Sequence, residues 1–267
     1  QEIIRIDSAT VTFPAINLKG SIQPFDTDLS NPNNPLLPGL VVRMNGFTLG
    51  QAELQYGGVT QPNANNKLQS TQTGGDGKIR FGSVLVLDDI RVGVTNFEVN
   101  FDAENPLVFN GSIYFASGGA QFFPGKPVSA SITDRQTADD VNPNGTRNTE
   151  ALKAELTFTN GKVDAFKFKI DTLSIKLSSF LELTAKDFML NTGASDSQEL
   201  VSFASLGAKV NIGGLSLSGE ARNFAFLGDG SFKAKAGFAV ILGIGSSTGD
   251  SFKWPSWLPI RINAIGI

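Results

Sequence analysis

Four stretches of this chain break the two-residue rhythm of a β-strand in the same way. "LVVRMNGFTL", "IRVGVTNFEV", "LELTAKDFML" and "LSLSGEARNFAF" each place apolar or small residues seven, five and three positions before a Phe and two after it. The anchoring residues are Phe47, Phe97, Phe188 and Phe224. Before them stand the pairs Asn45-Gly46, Thr95-Asn96, Lys186-Asp187 and Arg222-Asn223. A strand shows its side chains alternately on two faces, so two outward residues in succession cost one step of phase. A β-bulge absorbs such a step and bends the strand while its core face continues. Asn, Asp and Gly best tolerate the backbone this needs. Each copy is therefore expected to be one long strand, bent once, with its Phe buried just past the bend. The alternative is a tight turn at the polar pair, although pairs such as Lys-Asp make poor two-residue hairpins. The pairs are read as serving the bend; the competing reading is a row of Asn and Asp side chains presented to a ligand.

Helical periodicity is nearly absent elsewhere. "TEALKAELTF" is the best helix candidate, and its β-branched and aromatic end also suits a strand. Short alternating runs are separated by Asn45-Gly46, Gly57-Gly58, Asn110-Gly111, Asn160-Gly161, Gly213-Gly214 and Asp229-Gly230, pairs that supply the positive φ of tight hairpins. The pattern predicts an all-β chain of roughly 16 to 20 strands. The expected architecture is an elongated, antiparallel-rich sheet sandwich, or a solenoid-like array of long, bulged strands. The polar stretch 133–150 divides it into a module over 1–132 and a module over 151–267, or interrupts one continuous β domain.

Composition narrows the chemistry. The 267 residues contain 21 Phe against 2 Tyr and 2 Trp; Phe fills a core without a polar atom to satisfy. There is no His and no Cys. Their absence removes the usual general base near neutral pH, the Ser-His-Asp arrangement, disulfides and thiol nucleophiles. The net charge of −3 argues against a nucleic-acid partner, which needs a basic face. No apolar run is long enough for a membrane helix, and "FAVILGIG" is strand-length.

Few residues point to a site, and no catalytic residue is assigned. Acidic and amide side chains gather in two loops, where Asp26, Asp28, Asp139 and Asp140 are candidate calcium ligands. Neither loop has the EF-hand spacing, and solvated polar loops are the default expectation; otherwise no cofactor is implied. Asp88, Asp89 and Glu53 are the least arbitrary carboxylates for glycosidic hydrolysis, but nothing in the sequence brings them together. In "FKWPSWLPIRINAIGI", Trp254 and Trp257 lie on a segment held extended by Pro255 and Pro259. Their rings could contact a sugar or a partner, or close the end of a sheet.

"LTAKDFMLNTG", "LSGEARNFAFLGDGSF" and "FKWPSWLPI" follow one another in this order. Across about residues 181 to 260 the chain resembles β-rich tandem modules of very large secreted or surface proteins of bacteria such as planctomycetes and cyanobacteria. The resemblance implies an extracellular or cell-surface location, a structural or adhesive role and no catalytic residues. The chain opens in strand pattern through Ile4 and Ile6 and ends on the apolar Ile267, as a module cut from an array or an end-joining subunit would. The leading expectation is therefore a non-enzymatic scaffold, sheath, fibre or adhesin stalk. Its partners would be copies of itself or adjacent modules joined by strand addition, with surface polysaccharide as a further candidate. A lipid-binding or lipid-conducting β groove is the second expectation, and a polysaccharide-binding β domain the third.

Overall fold

The computed structural model describes residues 2–13, 18–26, 35–57, 60–62, 68–70, 78–101, 108–134, 150–212, 215–246 and 264–266. The chain is all-β and antiparallel, as the alternation predicts. Among the described residues there is no helix. The strands are β1 Glu2–Ile6, β2 Ala9–Phe13, β3 Leu18–Gln23, β4 Leu40–Arg43, β5 Gly46–Tyr56, β6 Thr60–Pro62, β7 Leu68–Ser70, β8 Lys78–Phe81 and β9 Leu85–Asn100. They continue as β10 Val108–Phe122, β11 Val128–Thr133, β12 Leu152–Thr159, β13 Lys162–Leu177, β14 Leu181–Asn191, β15 Glu199–Ile212, β16 Leu215–Leu227, β17 Phe232–Ser246 and β18 Ala264–Gly266. The pair β6-β7 stands apart, and the rest join one sheet. The helix candidate lies in β12, where the partner β10 supplies the hydrogen bonds a helix would have made internally.

Two compact units share these strands. Unit 1 comprises Gln1–Ile79, Leu87–Gly119 and Gln136–Phe168; unit 2 comprises Arg80–Val86, Ala120–Arg135 and Lys169–Ile267.

In unit 2 the phase slip belongs to three strands at once. Register runs Lys186↔Ser205 then Met189↔Ser202 between β14 and β15, and Ser205↔Arg222 then Phe203↔Phe224 between β15 and β16. No residue is inserted on either ladder at the crease; β15-β16 shifts register only beyond it, between Glu199 and Val201. β15 carries the same pattern reversed: Val210, Ala208 and Leu206, then the pair Ser205-Ala204, then Phe203 and Val201. The slip is thus a crease crossing the sheet, with Asp187 at φ 47 and Asn223 at φ 53. At the crease itself register breaks toward β17, where Arg222 pairs Ala239 and Phe224 pairs Ala234. The expected bulge is thus found at Arg222-Asn223 against β17, while toward β14 and β15 it is corrected to a crease that stays in register, because the neighbouring strand slips in step.

Unit 1 has the corresponding feature in β5 and β9. Leu49 pairs Phe97 and Gln51 pairs Thr95. The pair Gly50-Gln51 thus lies opposite Thr95-Asn96, with Asn96 at φ 47. The copy ahead of Phe47 behaves differently. Arg43 pairs Gly46, so Met44 and Asn45 form the corner of a β4-β5 hairpin, and the expected bend there is corrected to a tight turn. Where the strand before can fold straight back onto the strand after, a two-residue loop replaces the bend, here Met44-Asn45 with Gly46 already in β5.

Past each crease runs a row of rings. In unit 1 Phe47, Phe97, Phe109 and Phe158 follow at centroid separations of 6.4, 6.1 and 5.0 Å. In unit 2 Phe188, Phe203, Phe224 and Phe232 follow at 5.2, 5.0 and 6.1 Å. Of the four sequence anchors only Phe224 is fully buried. Phe47, Phe97 and Phe188 are half-buried, which corrects the expectation of four buried rings: ring neighbours along the row cover them only in part.

Candidate functional site

Alternation fixes which side chains share a face. In unit 1 the rows Val11–Gly20–Leu54–Val92 and Ala9–Ile22–Ala52–Val94 cross β2, β3, β5 and β9. With Ile113 of β10 they line an open cavity of about 480 Å3. This is an apolar groove, yet it faces solvent: Val11 is 54%, Leu54 51% and Val92 48% exposed. Gly20 carries no side chain here, so the Leu54 methyl lies 3.9 Å from where a Cβ would stand, and the groove floor remains low at that point.

Next to the apolar residues lies a polar network on the same strands. Glu53 pairs Gly93 in register, and Gln55 pairs Arg91. The Tyr114 hydroxyl donates to Glu53 Oε2 at 2.7 Å and accepts from Gln51 Nε2 at 3.2 Å. Gly93 makes this possible, since a Cβ there would come within 2.6 Å of the Tyr114 hydroxyl oxygen. Burial, then the Glu53 carboxylate, pushes the Tyr114 phenol well above its ordinary value. Lys153 stands 4.9 Å from the centre of the Tyr114 ring and 3.6 Å from Glu155.

Deeper in the network Asp89 accepts from Gln55 at 2.7 Å. Arg91 reaches Asp89 at 3.8 Å and Glu150 at 3.6 Å. Asp88 instead pairs with Lys78 at 3.6 Å. The three carboxylates singled out in the sequence thus sit in three separate partnerships: Glu53 with a phenol, Asp88 with a lysine, Asp89 with an arginine and an amide. Each acts as a hydrogen-bond acceptor or ion-pair partner, and the network ties the groove's strands together.

Unit 2 carries an apolar face of its own. Its rows are Leu181–Val210–Leu217–Ile244, Leu183–Ala208–Gly219–Leu242 and Ala185–Leu206–Ala221–Val240. Leu206, Leu217, Leu242 and Ile244 are exposed. On the opposite face Lys186, Ser205 and Arg222 form one row and Glu182, Lys209 and Ser218 another.

The remaining sequence candidates scatter. Asp26 is half-buried beside the isolated bridge Phe25↔Leu37, and Asp28, Asp139 and Asp140 lie outside the described residues. Among the described residues no three acidic side chains converge as metal ligands. Trp254 and Trp257 also lie outside the described residues. The sequence reading missed the groove and the Arg91-Tyr114 network, because both depend on strands far apart in the chain. Gly93, set in an otherwise Val-rich run, was the one local sign of a close approach. No protein-family model, curated protein or solved structure matches the chain.

Proposed function

We propose that the chain is a lipid-binding or lipid-conducting β module, which holds extended apolar chains along its groove without performing chemistry on them. The observation that carries this reading is the apolar face of unit 1, open to solvent around a cavity of about 480 Å3. That volume lies within the roughly 300–1,000 Å3 of ordinary ligand sites. Apolar surface left in water on this scale marks a place where something binds. Side chains of Val, Leu, Ile and Ala without a polar group aimed among them suit acyl chains, which need no hydrogen bonds. Co-purified lipid is identified by solvent extraction and mass spectrometry, and uptake is measured with a fluorescent fatty acid. Leu54→Glu and Val92→Glu should abolish saturable uptake while leaving the strand circular dichroism intact. A lipid-free protein that takes up no fatty acid would end this reading.

One observation favours a second reading, a structural or adhesive module of an extracellular bacterial surface assembly. Among the described residues, the outer edge of β17 is paired only where β18 meets Ile241–Gly243. A long unpaired strand edge is a template for strand addition by another copy or a neighbouring module. Negative-stain images and light scattering at rising concentration test it. Filaments or sheets support the scaffold; a monomer at all concentrations excludes self-joining.

A further inference from the structure

The left-handed residues at the creases do more than turn the backbone, because each borders a polar pocket. In unit 2 the pocket, about 300 Å3, is lined by Lys169, Asp187, Ser202, Asn223 and Lys235, with Met189 as apolar wall. Met189 and Ser202 are directly paired, so they share a face. Ser202 is buried to 4% exposure, and the Asn223 amide is held by donating to the Gly237 carbonyl at 2.9 Å. Lys235 is steadied by Glu199 at 3.0 Å. Ser202, Asn223 and Lys235 are thus already fixed in place, so little of their rotamer freedom is lost when a ligand enters.

In unit 1 the crease residue Asn96 borders a pocket of about 440 Å3 with the same polar chemistry: Arg43 as the cation, Glu98 as the carboxylate, Thr48 as the hydroxyl and Asn100 as a further amide. Each crease thus pairs its left-handed Asn with a cation, a carboxylate and a hydroxyl.

We propose that the unit 2 crease pocket binds one residue of a neutral glycan, and that the unit 1 pocket is a second site of the same kind. Charge decides the ligand class. A phosphate or carboxylate would be drawn to Lys169 and Lys235 but would face Asp187, with Glu199 beside Lys235. A cation would meet two ammonium groups. A sugar carries no charge, and its hydroxyls both donate and accept. It can therefore meet the Ser202 hydroxyl and the lysine ammonium groups together, with no charge of its own to clash with Asp187. Its C–H faces suit the Met189 side chain, which shares the Ser202 face. The apolar groove of the proposed lipid site has no such set of donors and acceptors, so the two sites act separately.

The full chain is screened against a printed array of neutral and acidic oligosaccharides, and affinities are then measured with soluble dextran, xylan and laminarin fragments. Saturable binding to a neutral glycan is expected. Lys169→Met and Ser202→Ala should each weaken it by about tenfold, the effect of one or two lost hydrogen bonds, without a matching fall in melting temperature. The combination Lys169→Met with Arg43→Met should reduce binding further than either alone. Retention of acidic glycans only, lost in Lys169→Met, would make the pocket an anion site and overturn the proposal. So would a blank array, or neutral binding that Lys169→Met and Arg43→Met both leave unchanged.

Discussion

Asn223 donates its side-chain amide to the Gly237 carbonyl oxygen at 2.9 Å, and a Cβ on Gly237 would stand 3.0 Å from the same nitrogen. The two residues hold the one place where register slips between β16 and β17. Both backbones are left-handed, at φ 53 and φ 79. Asn223→Gly should keep the crease and lose about 1 kcal/mol with its hydrogen bond. Asn223→Val should lose about 2–3 kcal/mol, since a β-branched residue adds a left-handed penalty of about 1–2 kcal/mol. Urea unfolding of the two variants checks the order; Val no worse than Gly would show that the left-handed backbone at 223 costs nothing.

Phe224 is the buried member of its ring row, 5.0 Å from Phe203 and 6.1 Å from Phe232. Phe224→Ala should cost about 3–5 kcal/mol, the usual range for emptying a core Phe site. Phe188→Ala should cost less, because its ring is only half-buried. Equal losses by thermal unfolding would mean that burial does not rank the row.

Arg91 is 4% exposed and shares its charge between Asp89 and Glu150. Arg91→Leu leaves two carboxylates without their cation beside an apolar side chain. Breaking a buried ion pair from one side costs about 3–5 kcal/mol, and Arg91→Leu should fall in that range. The triple change Arg91→Leu, Asp89→Leu, Glu150→Leu should recover part of the loss. Denaturant melts of the single and triple variants measure both.

The Tyr114 phenol is held above its ordinary value of 10.0, first by burial and then by Glu53. A group whose folded-state pKa is raised contributes stability that is full below the unfolded value and disappears as pH rises beyond it. Stability should therefore fall above about pH 10 in the native chain and fall less steeply in Tyr114→Phe. Ultraviolet titration of the phenols, followed alongside unfolding, gives the test. Parallel alkaline curves for the two proteins would rule Tyr114 out as the cause.

The sequence pattern located three of the left-handed positions, Asn96, Asp187 and Asn223, because two polar residues in a row can keep an apolar face only by a local twist. It could not tell whether a neighbouring strand slips as well. Reading forward concealed the reversed copy around Phe203, which only antiparallel pairing reveals. Asn45-Gly46 and Lys186-Asp187 fill the same slots in the pattern, yet one ends a hairpin and the other lies in a continuous strand. The partner strand decides between them. Asn110-Gly111 looks like a turn and lies inside β10, where the Asn110 side chain accepts from the Asn160 backbone at 2.7 Å and so supports a turn elsewhere in the chain. The candidate pockets were still harder to foresee: Lys169, Ser202 and Lys235 follow no local pattern and meet only because β13, β15 and β17 border one pocket.

A crease written into β14, β15 and β16 together restricts how such a chain can change by descent. Deleting one residue near Ala204 would turn the outer part of β15 over, sending Phe203 to the polar side while Phe188 and Phe224 stayed in place. A compensating deletion would be needed in each neighbour at the matching height, so single length changes within these strands are selected against. Length can drift freely only in the connections between creases. The spacing of the Phe anchors, 91 residues from Phe97 to Phe188 but 36 from Phe188 to Phe224, fits such a history. Relatives of this chain should therefore be recognised by the height at which their strands fold over, even where hairpin lengths and surface residues have lost all resemblance.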